Sequence, residues 1–117
     1  MKKTIYLDNA ATTKTRPEVV EAMFPYFTEF YGNPSSIYSF SDEPKKAVAA
    51  GREAIAKSIG AKTNELYFTG GGSESDNWAL KATAEAYKSK GNHIITSKIE
   101  HHAILHTCEW LENHGFE

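Results

Sequence analysis

The sequence predicts an α/β fold with a mainly parallel sheet, of which this chain carries only one βαβ unit. Three observations predict it. A short β-type run at 65–69, Glu-Leu-Tyr-Phe-Thr, leads into Gly70-Gly71-Gly72, and an alanine-rich helical run follows over 78–87. A second apolar run, His93-Ile94-Ile95-Thr96-Ser97, reads as a buried strand. Strand, helix and strand over 65–97 then close a right-handed crossover with parallel strands. A parallel sheet needs cover on both faces, and two strands are too few for a complete domain, so the sequence predicts an incomplete one.

Composition bounds the function. The chain has 117 residues, 40% apolar and 24% charged, with a net charge of −2. That is ordinary for one small globular domain and argues against a nucleic-acid binder, which usually carries a basic patch. No apolar run approaches the roughly 20 residues of a membrane span. The first eight residues hold two lysines but no apolar core of signal-peptide length. Cys108 is the single cysteine, so no internal disulfide can form, and a reducing cytoplasm is the expected setting.

In chain order, residues 4–7 read as extended and 8–13 as a loop. Thr15-Arg16-Pro17-Glu18 starts a helix, with Thr15 as N-cap and Pro17 in the first turn. That helix runs to about Phe30 and sets Val19, Met23, Phe27 and Phe30 on one face, with Pro25 predicting a kink or an early break. Residues 31–36 form a turn. Ser41 caps a second helix running to about Ser58, with Val48, Ile55 and Ile59 on its buried face and Gly60 in the left-handed position after its end. A third helix covers about 74–90 and closes on Gly91. A last one covers about 101–113 and ends at Gly115.

The glycine turn carries the first chemical signal. Three glycines let the backbone turn sharply and approach a ligand closely. Ser73 suits the N-cap of the third helix, with Asp76 three residues on. A helix N-terminus with free N–H groups seats an anion, so the turn reads either as a phosphate seat or as a plain βα loop with a serine cap. It is neither a Walker loop nor a Gly-x-Gly-x-x-Gly fingerprint. Residues 70–73 and 98–102 both leave strands at the same sheet edge, where ligands bind in parallel sheets. This places His101 near the seat. His101, Ile104, Cys108 and Leu111 share one helical face, so His101 is expected to point inward at the helix mouth.

Four segments together resemble the cysteine desulfurases of the aminotransferase class V group of pyridoxal-phosphate enzymes. They are Tyr6-Leu7-Asp8-Asn9-Ala10-Ala11-Thr12-Thr13, Gly32-Asn33-Pro34-Ser35-Ser36-Ile37-Tyr38-Ser39-Phe40, the phosphate loop over 68–80, and the histidine segment over 93–105. Order and spacing match the family across almost the whole chain. The resemblance implies the N-terminal part of a fold-type-I transferase large domain. Residues 1–62 would be the N-terminal arm and helices, and 63–117 the start of the cofactor-binding α/β domain. It implies pyridoxal 5'-phosphate as cofactor, with Gly72 and Ser73 holding its phosphate and His101 stacking on its ring and acting in acid/base steps. Asn9 and Asn33 would lie in loops near the active-site mouth. L-cysteine would become L-alanine, leaving a persulfide on the enzyme for a sulfur acceptor or iron–sulfur scaffold protein. The complete enzyme would be a homodimer.

Ser41 stands where the family usually has glycine. The family's Ser-x-His-Lys motif, with the lysine that tethers the cofactor, does not occur in this sequence, so the chain alone is expected to be inactive. With much of its sheet face uncovered, it is also expected to be only marginally folded. Two alternatives stay open: a selenocysteine lyase or other class V enzyme, and a non-catalytic remnant that binds the cofactor or a partner. A metal site is not expected, because His102 and His106 lack a third ligand in a recognisable pattern. Cys108 reads as a small core hydrophobe and Lys98 as a solvated side chain.

Overall fold

The computed structural model describes residues 4–117, and the leader reading at Met1-Lys2-Lys3 lies outside them. The chain divides into two compact units, one ending at Leu66 and one spanning Tyr67–Glu117.

In the N-terminal unit, α1 covers Pro17–Met23, α2 covers Pro25–Thr28 and α3 covers Asp42–Ser58. Pro25 ends the first helix early. Its ring has no N–H to donate, and the chain restarts as α2 with Pro25 in the first turn. The N-cap of α1 is Arg16 rather than Thr15, and no side chain bonds there. Ser41 is the N-cap of α3 as expected from composition, but its hydroxyl makes no cap bond. It is instead buried, and its Oγ lies 2.8 Å from where a Cβ on Gly32 would stand. Asn33 Oδ1 accepts the N–H of Ser35 at 2.9 Å and tightens the turn after Gly32. Gly60 takes φ +70° past the end of α3, where a side chain would be strained.

The expected apolar faces do not become a core. Val19, Met23, Phe27 and Phe30 are exposed, and so are Val48, Ile55 and Ile59. The buried positions of α3 are Pro44 and Ala56. Helical spacing marks a face that needs cover but does not supply the cover. Among the described residues, the elements α3 packs against most are two short 3-10 turns, Ser39–Ser41 and Thr63–Glu65. The accessible surface is 10046 Å². Two compact units of half this mass, fully apart, would expose about 7,700 Å² together. Apolar area is therefore left open within the units themselves.

The C-terminal unit holds α4, Gly72–Tyr87, and α5, His102–Glu112, packed on one another. Leu111 and Phe116 bury against Ala84 of α4, with Leu80 and Ile94 at the edge. The alanines keep α4 slim enough for this approach. A 3-10 turn, Lys88–Lys90, and Gly91 end α4, and Gly115 at φ +91° follows α5.

The expected βαβ unit is not formed. Among the described residues there is no strand. The runs 66–69 and 92–98 carry no regular structure. A strand exists only through the regular ladder it shares, so a β-type sequence that builds no such ladder stays irregular. One parallel step does form. Ile94 N–H donates to Glu117 O at 2.6 Å, and Glu117 N–H donates to Asn92 O at 2.7 Å. These two slanted bonds flank His93 as in a parallel pair.

Candidate active site

The glycine turn is held by three ties across its mouth. Tyr67 meets the Trp78 ring edge-on at 5.1 Å. The hydroxyls of Thr69 and Ser75 are 2.6 Å apart. Glu74 Oε2 accepts the N–H of Gly70 at 2.6 Å. The cap therefore differs from the expected one. Helix α4 begins at Gly72, Gly71 is its N-cap, and no side chain caps it. Ser73 lies inside the first turn, and the carboxylate that engages the loop is that of Glu74, not Asp76. Glu74 wins because its longer side chain spans back to Gly70.

This leaves an open helix end. The N–H groups of Glu74 and Ser75 turn back to Gly71 O. Those of Gly72 and Ser73 bond nothing among the described residues. A Cβ built on Gly71 or Gly72 meets no atom within 4 Å. Free first-turn N–H groups carry the partial positive charge of the helix dipole.

Ser73 and His101 line the same open cavity, of about 370 Å³, with Asn77, Lys81, His102 and Trp110 among its walls. Gly72 is not part of that lining. His101 does not enter the apolar face of α5. It stands exposed as the N-cap of that helix, and its Nδ1 accepts the N–H of Ala103 at 3.1 Å. The inward expectation came from counting His101 as helical. At the N-cap its backbone is extended, φ −61° and ψ 148°, so it leaves the stripe that Ile104, Cys108 and Leu111 continue.

Other wall residues were not singled out from sequence. Asn77 Nδ2 donates to Ser73 O at 2.9 Å. Lys81 Nζ sits 4.5 Å above the Trp110 ring. Ser73, Asn77 and Lys81 recur every four residues, which puts them on one face of α4. That spacing was a readable signal. Thr107, a buried polar residue, also faces the cavity.

The remaining candidates fall elsewhere. Lys98 and Cys108 line a different cavity of about 600 Å³. His102 and His106 stack at 5.3 Å, and His106 Nδ1 lies 3.0 Å from Glu109. No group of three or more His, Cys, Asp or Glu side chains converges as a metal site among the described residues. Asn9 and Asn33 belong to the N-terminal unit.

Comparison with known proteins extends these observations. Residues 5–117 match the aminotransferase class-V family. The cysteine desulfurase IscS of Clostridium botulinum (strain Kyoto / Type A2) is 62% identical over 117 residues, covering 100% of this chain and 30% of that protein. Among solved structures, a NifS-like protein superposes with a TM-score of 0.90 at 39% identity, covering 97% of this chain and 31% of the other. SspA in complex with cysteine superposes with a TM-score of 0.88, also at 39% identity, covering 97% of this chain and 33% of that one. The chain thus spans about a third of the length of these relatives.

Proposed function

The chain belongs to the aminotransferase class-V family, and from it we propose that these residues form the N-terminal part of a pyridoxal-phosphate-dependent cysteine desulfurase. The substrate is L-cysteine, the product L-alanine, and the sulfur leaves as an enzyme persulfide. One observation carries the reading: Ser73 beside the uncapped end of α4 and His101 at the head of α5 line one cavity. Identity to cysteine desulfurases along the whole chain supports it and does not favour a selenocysteine lyase or a non-catalytic remnant.

The residues present fit the cofactor's phosphate. The N–H groups of Gly72 and Ser73 bond nothing among the described residues, and no side chain among them caps the helix in their place. The carboxylate of Glu74 is occupied on Gly70. Gly72 and Ser73 would donate backbone N–H groups to the phosphate, and the Ser73 hydroxyl would add a third donor. Asn77 holds the Ser73 carbonyl and so the first turn. His101 would face the bound cofactor from the head of α5 and would handle a substrate proton. When bound, pyridoxal phosphate supplies the electron sink. The complete enzyme is a cytoplasmic homodimer that delivers sulfur to an acceptor or iron–sulfur scaffold protein. No helix among the described residues is long and apolar enough to cross a membrane.

The test is to purify the complete protein containing this chain, with cofactor, and measure L-alanine formed from L-cysteine under reducing conditions. Wild-type protein is expected to form alanine. His101→Ala is expected to lose on the order of 10²-fold or more in rate, as for loss of a general acid–base group. Cofactor-loaded protein that releases alanine only from L-selenocysteine would replace this reading with the lyase.

A further inference from the structure

The geometry points to a single resting form of His101: the neutral ring with its proton on Nε2, selected by the backbone N–H of Ala103. The donor in this contact is an amide N–H, 3.1 Å from Nδ1. An amide N–H cannot accept, so Nδ1 must present a lone pair, and the ring proton must sit on Nε2. The contact is also the cap of α5, the role that Ser, Asp or Asn usually takes. The ring is therefore held by the helix it starts. Its Nε2 makes no hydrogen bond among the described residues, and the residue lines the cavity shared with Ser73.

Two consequences rest on the desulfurase reading. In this form His101 offers the cavity a hydrogen-bond donor, Nε2–H, suited to an anionic oxygen or sulfur of the bound molecule. A proton taken up by the ring has one place to go, the Nδ1 lone pair, because Nε2 is already protonated. That lone pair is the one bonded to Ala103. Taking up a substrate proton therefore means releasing the Ala103 N–H, so proton transfer and ring movement occur together. Ala103 is a positioning residue that acts through its main chain, and its side chain is not needed for this.

The experiment is multiple-bond 1H–15N correlation on the complete protein labelled with [15N]histidine and [15N]alanine, with His101 assigned by its loss in His101→Gln. The expected result is an almost pure Nε2–H form, with Nδ1 in the unprotonated range and a through-hydrogen-bond coupling to the Ala103 nitrogen. An Nδ1–H form would overturn the proposal. So would a tautomer mixture equal to that of His102, whose ring makes no hydrogen bond among the described residues. The spectrum needs no turnover. Inactive protein with the expected tautomer would sink the desulfurase reading alone, and active protein with the other tautomer would sink this one alone.

Discussion

The carboxylate of Glu74 reaches back over the glycine turn and accepts the N–H of Gly70 at 2.6 Å. It secures the loop and places a negative charge in the first turn of α4, where the helix dipole favours it. The same bond keeps the acid turned toward the loop rather than toward the open N–H groups of Gly72 and Ser73.

Removing that tie should loosen the proposed phosphate seat. A hydrogen bond of this exposed, charge-assisted kind contributes about 1 kcal/mol, or roughly fivefold in an equilibrium constant. Glu74→Ala is expected to weaken cofactor binding by that order, read from the cofactor absorbance during titration of the complete protein. Glu74→Gln keeps an acceptor and should recover most of the loss. Equal affinity in all three proteins would show that Glu74 does not shape the seat.

Gly72→Ala separates folding from binding. The added methyl meets no atom within 4 Å, and Gly72 is not in the left-handed region. The helix itself should tolerate the change, with a melting midpoint unchanged or slightly raised, since alanine is the better helix former by up to about 1 kcal/mol. Cofactor affinity should nevertheless fall, because the methyl stands beside an N–H that the phosphate would use. Unchanged affinity would move the phosphate away from this end of α4.

Two other glycines should respond in opposite directions. Gly51 lies inside α3 with nothing within 4 Å of a new Cβ, so Gly51→Ala should stabilise the protein by about 0.5–1 kcal/mol. At Gly32 the Cβ would stand 2.8 Å from both Phe40 O and Ser41 Oγ. Backbone cannot yield as a side-chain tip can, so Gly32→Ala should destabilise by about 1–3 kcal/mol. Thermal melting of both variants beside the wild type tests the pair. A stable Gly32→Ala protein would mean that the close approach of the turn to Phe40 is not maintained.

The features that could be read from sequence are those set by a residue's own covalent structure. Pro25 breaks the first helix because its ring lacks an N–H. Gly60 and Gly115 take positive φ because they lack a Cβ. The serine-capped start of α4 failed as a reading because several polar side chains near the turn compete for the same backbone groups. Glu74 took the loop N–H and left Ser73 uncommitted. His101 was misplaced by one helical position, which was enough to move it from the apolar stripe to a cap.

The sequence by itself determined the helices, their breaks and their turns, along with the four segments whose order and spacing marked the family. These are short-range matters of sterics and hydrogen bonding along a few residues. The sequence already predicted His101 near the glycine turn; only the tertiary structure decided that it lines one cavity with Ser73 as the cap of α5, that Ala103 holds its ring, and that Glu117 pairs beside His93. The first and last of these contacts join residues far apart in the chain. Their formation depends on α4 and α5 burying Leu111 and Phe116 against Ala84, and on which segments find a neighbour to bond. The strand-like runs at 65–69 and 93–97 show the same point from the other side. Their composition favours a sheet, but a ladder is a property of two segments and cannot be read from one.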